Sequence, residues 1–345
     1  MSVPVRLRCR IEQAVYSTGI LGSLLLSGCG ITSTSTNSPS STGANSSSSA
    51  SVQSGAQLGA AWNAADATLR PVLGVPGSAQ FGSSLVSAGS YINGAFSAQS
   101  QSALLVDKSG NLSFIATPGS QPALLSTGVA TNAVIAFSPL GSYAVVYSPG
   151  ANSALLVKGL PQQPTATPLQ MASAIQAATV SDAGTLLAAS RAGGRVGLTT
   201  LTAAGAQTTV ASVAAYGGMV FLPGSEDILF ADSAANTLTR LHSSSSQTLA
   251  TATDGLNKPL AVAASLDGHW AVTANSADAT LVRIDLTAAT PTVHATCACT
   301  PSTLTPLNGN AVFQLTAPGA AATWMIEADD LVPRVLFIPP AGHGV

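Results

Sequence analysis

The side chains able to do chemistry are few and scattered. Four histidines occur, at 242, 269, 294 and 343. None has a partner at the HxH or HxxxH spacing that gathers metal ligands. His269 falls in a turn beside Trp270, His242 and His294 fall near strand ends, and His343 lies in the terminal tail. They read as turn and edge histidines, and no metal or cofactor is expected. The acids Asp182, Asp267 and Asp278 sit in turn sequences, where Asp bonds its own backbone. No EF-hand loop is present, and Gly193-Gly194 and Gly217-Gly218 lack the Lys of a phosphate loop. No GxSxG occurs either, so no catalytic residue is assigned. Cations are scarce enough to single out Arg191, Arg195 and Arg240, which with Asp232 are the candidate ligand contacts on one face. Asp107, Arg191, Asp232, Asp254 and His269 meeting in one pocket would instead favour catalysis.

Cysteines number four, at 9, 29, 297 and 299. In Cys297-Ala-Cys299 the two thiols share a face of an extended strand, with Cα atoms about 6.5–7 Å apart, at the limit for a bridge. A disulfide there needs a bend; two buried thiols are the alternative.

The N-terminus gives an address. Arg6, Arg8 and Arg10 precede an uncharged, moderately apolar stretch from Ala14 to Leu26, the pattern of an export signal over residues 1–28. Leu26-Ser-Gly-Cys29 resembles the lipobox of bacterial lipoproteins. That resemblance implies cleavage before Cys29, a thioether-linked diacylglycerol and usually an N-acyl chain, a stable anchor. Gly30 in place of Asp favours the outer membrane under the family's sorting rule. Residues 29–56, almost entirely Ser, Thr, Asn, Gly and Ala, show no apolar face at either period and read as a flexible tether.

Charged residues make up 8% of the chain, against about 25% in an average soluble domain. Removing the signal leaves nine basic and thirteen acidic residues, so nucleic acid is not an expected partner. Mean hydropathy is +0.39, yet no apolar run reaches the roughly 18 residues of a spanning helix. Apolar runs of 4–7 residues are also short for a membrane barrel.

What must position these residues is a repeat. Phe137-Ser-Pro-Leu-Gly-Ser-Tyr-Ala-Val-Val-Tyr returns at Val180, Phe221 and Ala264, with starts 43, 41 and 43 residues apart. That period marks four-stranded propeller blades. Pro139 suits the second position of a type I turn and Gly141 the positive φ that returns the chain. Repeats run over about 81–128, 129–171, 172–212, 213–255, 256–298 and 299–340. Trp62-Asn-Ala-Ala-Asp-Ala-Thr-Leu parallels Ala274-Asn-Ser-Ala-Asp-Ala-Thr-Leu, the outer half of a blade. The fold is therefore all-β: a β-propeller over residues 57–345, of six or seven blades with seven favoured, closed by the N-terminal strands. Those strands are expected to pair with the last blade, with Pro71 at an edge. Inner strands such as Val134-Ile-Ala and Ala261-Val-Ala-Ala carry small residues that fit a crowded axis.

Ala271-Val-Thr-Ala-Asn-Ser-Ala-Asp-Ala-Thr-Leu-Val-Arg-Ile-Asp, with Ser265-Leu-Asp-Gly before it, resembles the repeat of the YVTN-type propellers, which is similar in turn to NHL and lactonase-like propellers. The likeness is good over 264–286 and looser elsewhere. The lipobox, the tether, the repeat and the lack of a catalytic constellation together lead to the expectation of a lipid-anchored propeller at the bacterial envelope, acting as a binding or assembly scaffold for envelope proteins or glycans, with the membrane as its other partner. The alternative is a lactonase-like hydrolase with its site at the channel mouth.

Overall fold

The computed structural model describes residues 56–288 and 290–340. The export signal, Cys9, Cys29, the tether up to residue 55 and His343 lie outside them.

The repeat folds as the hairpin its turn dictates. Strands Val134–Phe137 and Tyr143–Tyr147 pair antiparallel across Ser138-Pro-Leu-Gly-Ser. Gly141 N donates to Ser138 O at 2.9 Å, which places Pro139 second in the turn, and Gly141 takes φ of 75°. Ala177–Val180 with Leu186–Ala192, and Pro259–Ala264 with Trp270–Asn275, form the same hairpin. Two further antiparallel strands follow each, so that successive sheets are meanders. Seven sheets result, six of four strands and one of three. Among the described residues the helical content is the three-residue turn Ala252–Asp254, and no helix is long and apolar enough to cross a membrane.

Closure follows from the core. An open fan of seven sheets has six interfaces, whereas here seven clusters of buried side chains each span two neighbouring sheets. One joins the first sheet to the last, through Leu58, Ala61 and Val72 against Leu307, Met325 and Ile338. The molecule is a seven-bladed propeller. Its inner strands mix small residues, such as Ala136, Ala261 and Ala263, with larger ones, such as Phe96, Phe137 and Met219.

The first blade departs from expectation. Its strands β1 (Gln57–Asn63), β2 (Thr68–Leu73) and β3 (Gln80–Phe81) fill the gap in the ring as a sheet of their own. They do not pair into the last blade, which takes all four strands from Thr305–Pro306 to Arg334–Ile338. Pro71 accordingly lies in the middle strand, opposite Ala60. Its carbonyl accepts from Gly82 N, just past the end of β3. The ring nitrogen faces that same side, where the ladder has already stopped, so its missing N–H breaks no pair.

Gly141 and Gly268 separate two costs of a side chain in these turns. Both have positive φ; a Cβ at Gly268 meets open space, while one at Gly141 would strike Ser97 Oγ and approach Ser100 N of the neighbouring blade. Gly268→Ala should cost about 1–2 kcal/mol of unfolding free energy, the left-handed strain alone. Gly141→Ala should cost measurably more in the same urea titration; equal losses would refute the contact between blades.

Candidate functional site

Inner strands from five of the blades, together with β1 of the first, border an axial cavity of about 450 Å³ to which the fourth blade's Ala177–Val180 contributes no lining residue. Trp62, Phe96, Phe137, Phe221 and Phe313 supply its aromatic carbon, Gln99, Asn310 and Gln314 its amides. Small residues such as Ala61, Gly94, Ser97 and Ala263 fill much of the rest, and the lining has no ionisable side chain. Asp107, Arg191, Asp232, Asp254 and His269 are all absent from it.

The ionisable groups hold turns instead. On the face where the first hairpin of each blade turns, a serine recurs at one repeat position for a reason its sequence did not announce. Ser138 Oγ accepts from Tyr143 N at 3.1 Å, Ser181 Oγ from Thr185 N at 3.0 Å and Ser265 Oγ from Trp270 N at 2.8 Å. Each buried hydroxyl thus closes its own hairpin. Neighbouring turns are then bonded to one another. Asp182 accepts from Leu140 N of the third blade at 2.8 Å and from Gly224 N of the fifth at 2.9 Å. Ser181 Oγ donates to Glu226 at 2.6 Å. Between the sixth and seventh blades, Asp267 N donates to Asn310 Oδ1, and Asn310 Nδ2 returns a bond to Asp267, both 3.0 Å.

The other singled-out residues do not converge. Asp232, at the end of Ile228–Asp232, is 9% exposed and accepts four amides, from Ala214, Ala215, Ala234 and Ala235. Burial opposes its ionisation, but those amides prevail and hold its carboxyl below the usual range. Arg191 is exposed at the end of Leu186–Ala192, and Arg195 donates to Ser212 Oγ and O at 2.9 Å. Arg240 belongs to the outer part of the fifth blade, donating through Nε and Nη2 to Asp227, which also meets His242 Nδ1 at 2.7 Å. Asp107 and Asp254 bond backbone amides of their own turns. His269 packs at a tilt against Trp270, ring centres 4.4 Å apart, and lies 3.5 Å from Asp285, whose carboxyl is held at about 2, chiefly by the Thr287 hydroxyl. Among the described residues no group of three His, Cys, Asp or Glu is placed to hold a metal.

Two features escaped the sequence reading. Arg283 is buried between the last two blades, its guanidinium 4.1 Å from the Trp270 ring centre and donating to the carbonyls of Ala328, Asp330 and Leu331. Its strand position resembles any other in the repeat, so nothing local marks it. The Asp227–Arg240–His242 cluster joins residues 13 and 15 apart through strand pairing alone. Cys297 and Cys299 are bridged across a bend that brings their Cα atoms to 5.0 Å.

The geometry defines a closed propeller with a neutral axial cavity and a bonded turn face. No family model and no curated protein matches the sequence. Solved structures do. A functionally unknown protein from Desulfotomaculum acetoxidans superimposes with TM-score 0.56 at 11% identity, over 83% of this chain and 100% of that one. Streptogramin B lyase gives 0.52 at 15%, over 77% and 85%, and apo AztD from Citrobacter koseri 0.52 at 11%, over 83% and 96%. At such identities the likeness establishes the fold alone.

Two outcomes follow. Because the folded carboxyls of Asp232 and Asp285 titrate below 3.8, their contribution to stability is complete above that pH and is lost as pH falls toward 2. The urea midpoint should drop steeply between pH 4 and 2. Asp232→Asn should flatten that drop and cost about 1–3 kcal/mol at pH 7; a variant with an unchanged acid limb would contradict the assignment. Denatured but unreduced mature protein should show no labelling at Cys297 or Cys299 by a thiol reagent; two labelled sites would show the bridge absent.

Proposed function

We propose that the protein is a lipid-anchored, extracytoplasmic binding scaffold whose working surface is the bonded turn face of the ring. The observation that carries this reading is the network in which Asp182 ties the third and fifth blades to the fourth, and Asn310 ties the sixth to the seventh. Loops already ordered this way engage a partner without the entropy cost of arranging them. Carboxylates fixed as acceptors of backbone amides suit a rigid surface better than proton transfer. A hydrolase-like reading needs acids and bases meeting at the channel, and the cavity offers hydroxyls, amides and apolar carbon.

The address is supported by the sequence: the cationic start, the apolar stretch and Leu26-Ser-Gly-Cys29. Envelope proteins or glycans are the partners such an address provides, with the outer membrane as the anchoring surface.

The two halves of the proposal are tested apart. In cells fed labelled palmitate, the protein should carry label, and Cys29→Ala should abolish it and release the chain from the membrane fraction. An unlabelled protein beginning at Met1 would sink the anchor. For the surface, Leu140 stands in one of these turns at 47% exposure. Leu140→Glu should reduce capture of envelope partners from detergent-solubilised membranes at least tenfold without lowering Tm. Capture that survives charge reversals around the whole turn face would remove that face from the account.

A further inference from the structure

The third hairpin of the seventh blade differs from its counterparts in what it shows to solvent. Ala328-Asp-Asp-Leu-Val-Pro333 joins Thr323–Glu327 to Arg334–Ile338. Ala328 N donates to Ala311 O at 2.8 Å, next to Asn310, so this loop stands on the turn face. Leu331 is 89% exposed and Val332 64%. The corresponding hairpins of the third and sixth blades also hold a leucine, but Leu160 and Leu286 are buried. The fifth blade's hairpin carries Ser243 and Ser244.

Apolar side chains scattered over a surface need no explanation. These two are adjacent, and the backbone beneath them is held. The buried guanidinium of Arg283, reaching from the sixth blade, donates to the carbonyls of Ala328, Asp330 and Leu331. Pro333 is buried, and Arg334 at the loop's end meets Asp330 at 3.1 Å as well as Glu327. A backbone fixed in the free protein removes an ordering cost from association, and apolar side chains on it then serve as anchors.

We propose that residues 328–333 form a docking prong, whose Leu331 and Val332 enter an apolar pocket rimmed by cationic side chains on a partner protein. The proposal rests on the turn face as the working surface, and names the part of it that seats the partner. Charge decides the occupant. Asp329 and Asp330 precede the apolar pair and are exposed, and Glu327 stands at the loop's base. Asp267 and Asp285 lie on the sixth blade's turns; Asp267 is bonded to Ser265 and Asn310 and Asp285 to Thr287, neutral groups that leave the carboxylate charges in place. The cations facing these acids are Arg334, which Glu327 and Asp330 share, Arg283 beneath the loop and His269 when protonated. The acids remain in excess. Such a surface repels an anionic bilayer and a second copy of itself, and draws in a basic rim.

The full chain with a benzophenone amino acid in place of Val332, irradiated in intact cells, should become joined to one other protein, at a pocket bordered by Lys or Arg. The same residue in place of Leu124, exposed on the outer strand Ala123–Ser126 of the second blade, should give no such product. Against that partner in purified form, Leu331→Ser with Val332→Ser should weaken binding roughly thirtyfold or more at unchanged Tm. Asp329→Lys should weaken it too and flatten its dependence on salt. Products joined to lipid or to a second copy of this chain would overturn the proposal. So would wild-type binding by the double serine variant, or binding to phosphatidylglycerol vesicles that this variant loses. If position 332 gives no product while Leu140 replaced in the same way does, the prong falls and the turn face stands; if neither does, both fall.

Discussion

Apolar contact between neighbouring sheets is the interaction on which everything else depends. A four-stranded sheet this rich in Ala, Val and Leu has two faces to cover, and a ring covers both for every sheet at once. Val145, Leu156, Ile175 and Leu186 between the third and fourth blades show the pattern, repeated at each interface around the ring. This geometry explains the composition. Strands sandwiched on both sides have little room for charge, so the few ionisable residues are pushed to turns and outer edges. Low charge and positive mean hydropathy arise here from two-sided burial and require no lipid around the strands.

Turn chemistry follows from the same arrangement. Apolar contacts between blades are non-directional, and directional bonds must set how each turn sits against the next. The serine hydroxyls of Ser138, Ser181 and Ser265 fix the hairpins individually, and Asp182, Asp267 and Asn310 fix them relative to one another. The fifth blade puts Leu222 at the serine position and closes its turn through Ser225 Oγ and Asp227 N instead. A residue class can change there while the hydrogen bond it supplies is kept.

Much of the fold was legible because it is periodic. The spacing from Phe137 to Ala264 and the Pro139–Gly141 turn led to the blade, and the match of Trp62 to Ala274 to the outer half-blade. Where the N-terminal strands would pair was not legible, since strand pairing at a ring's seam depends on which edges remain open after the other blades have formed. The surface was less readable still. Asp182 as a link between three blades depends on residues 42 positions away in each direction, a relation that only the wheel creates. Arg191, Arg195 and Arg240 looked alike as rare cations, yet pairing sends Arg240 to Asp227 and Arg195 to Ser212.

Arg283 gives the wheel an uneven response to acid. Its guanidinium stays ionised across any pH a living envelope meets, even though burial lowers its pKa. The Asp232 carboxylate, which holds the Ala214–Ala215 connection between the fourth and fifth blades against the Ala234–Ala235 turn, is neutralised once pH falls through its lowered range. Acid strong enough to discharge that carboxylate, and those of Asp267 and Asp285 in the sixth blade, leaves the Arg283 contacts with the last blade charged and in place, so one seam of the wheel is held by a group that does not titrate there.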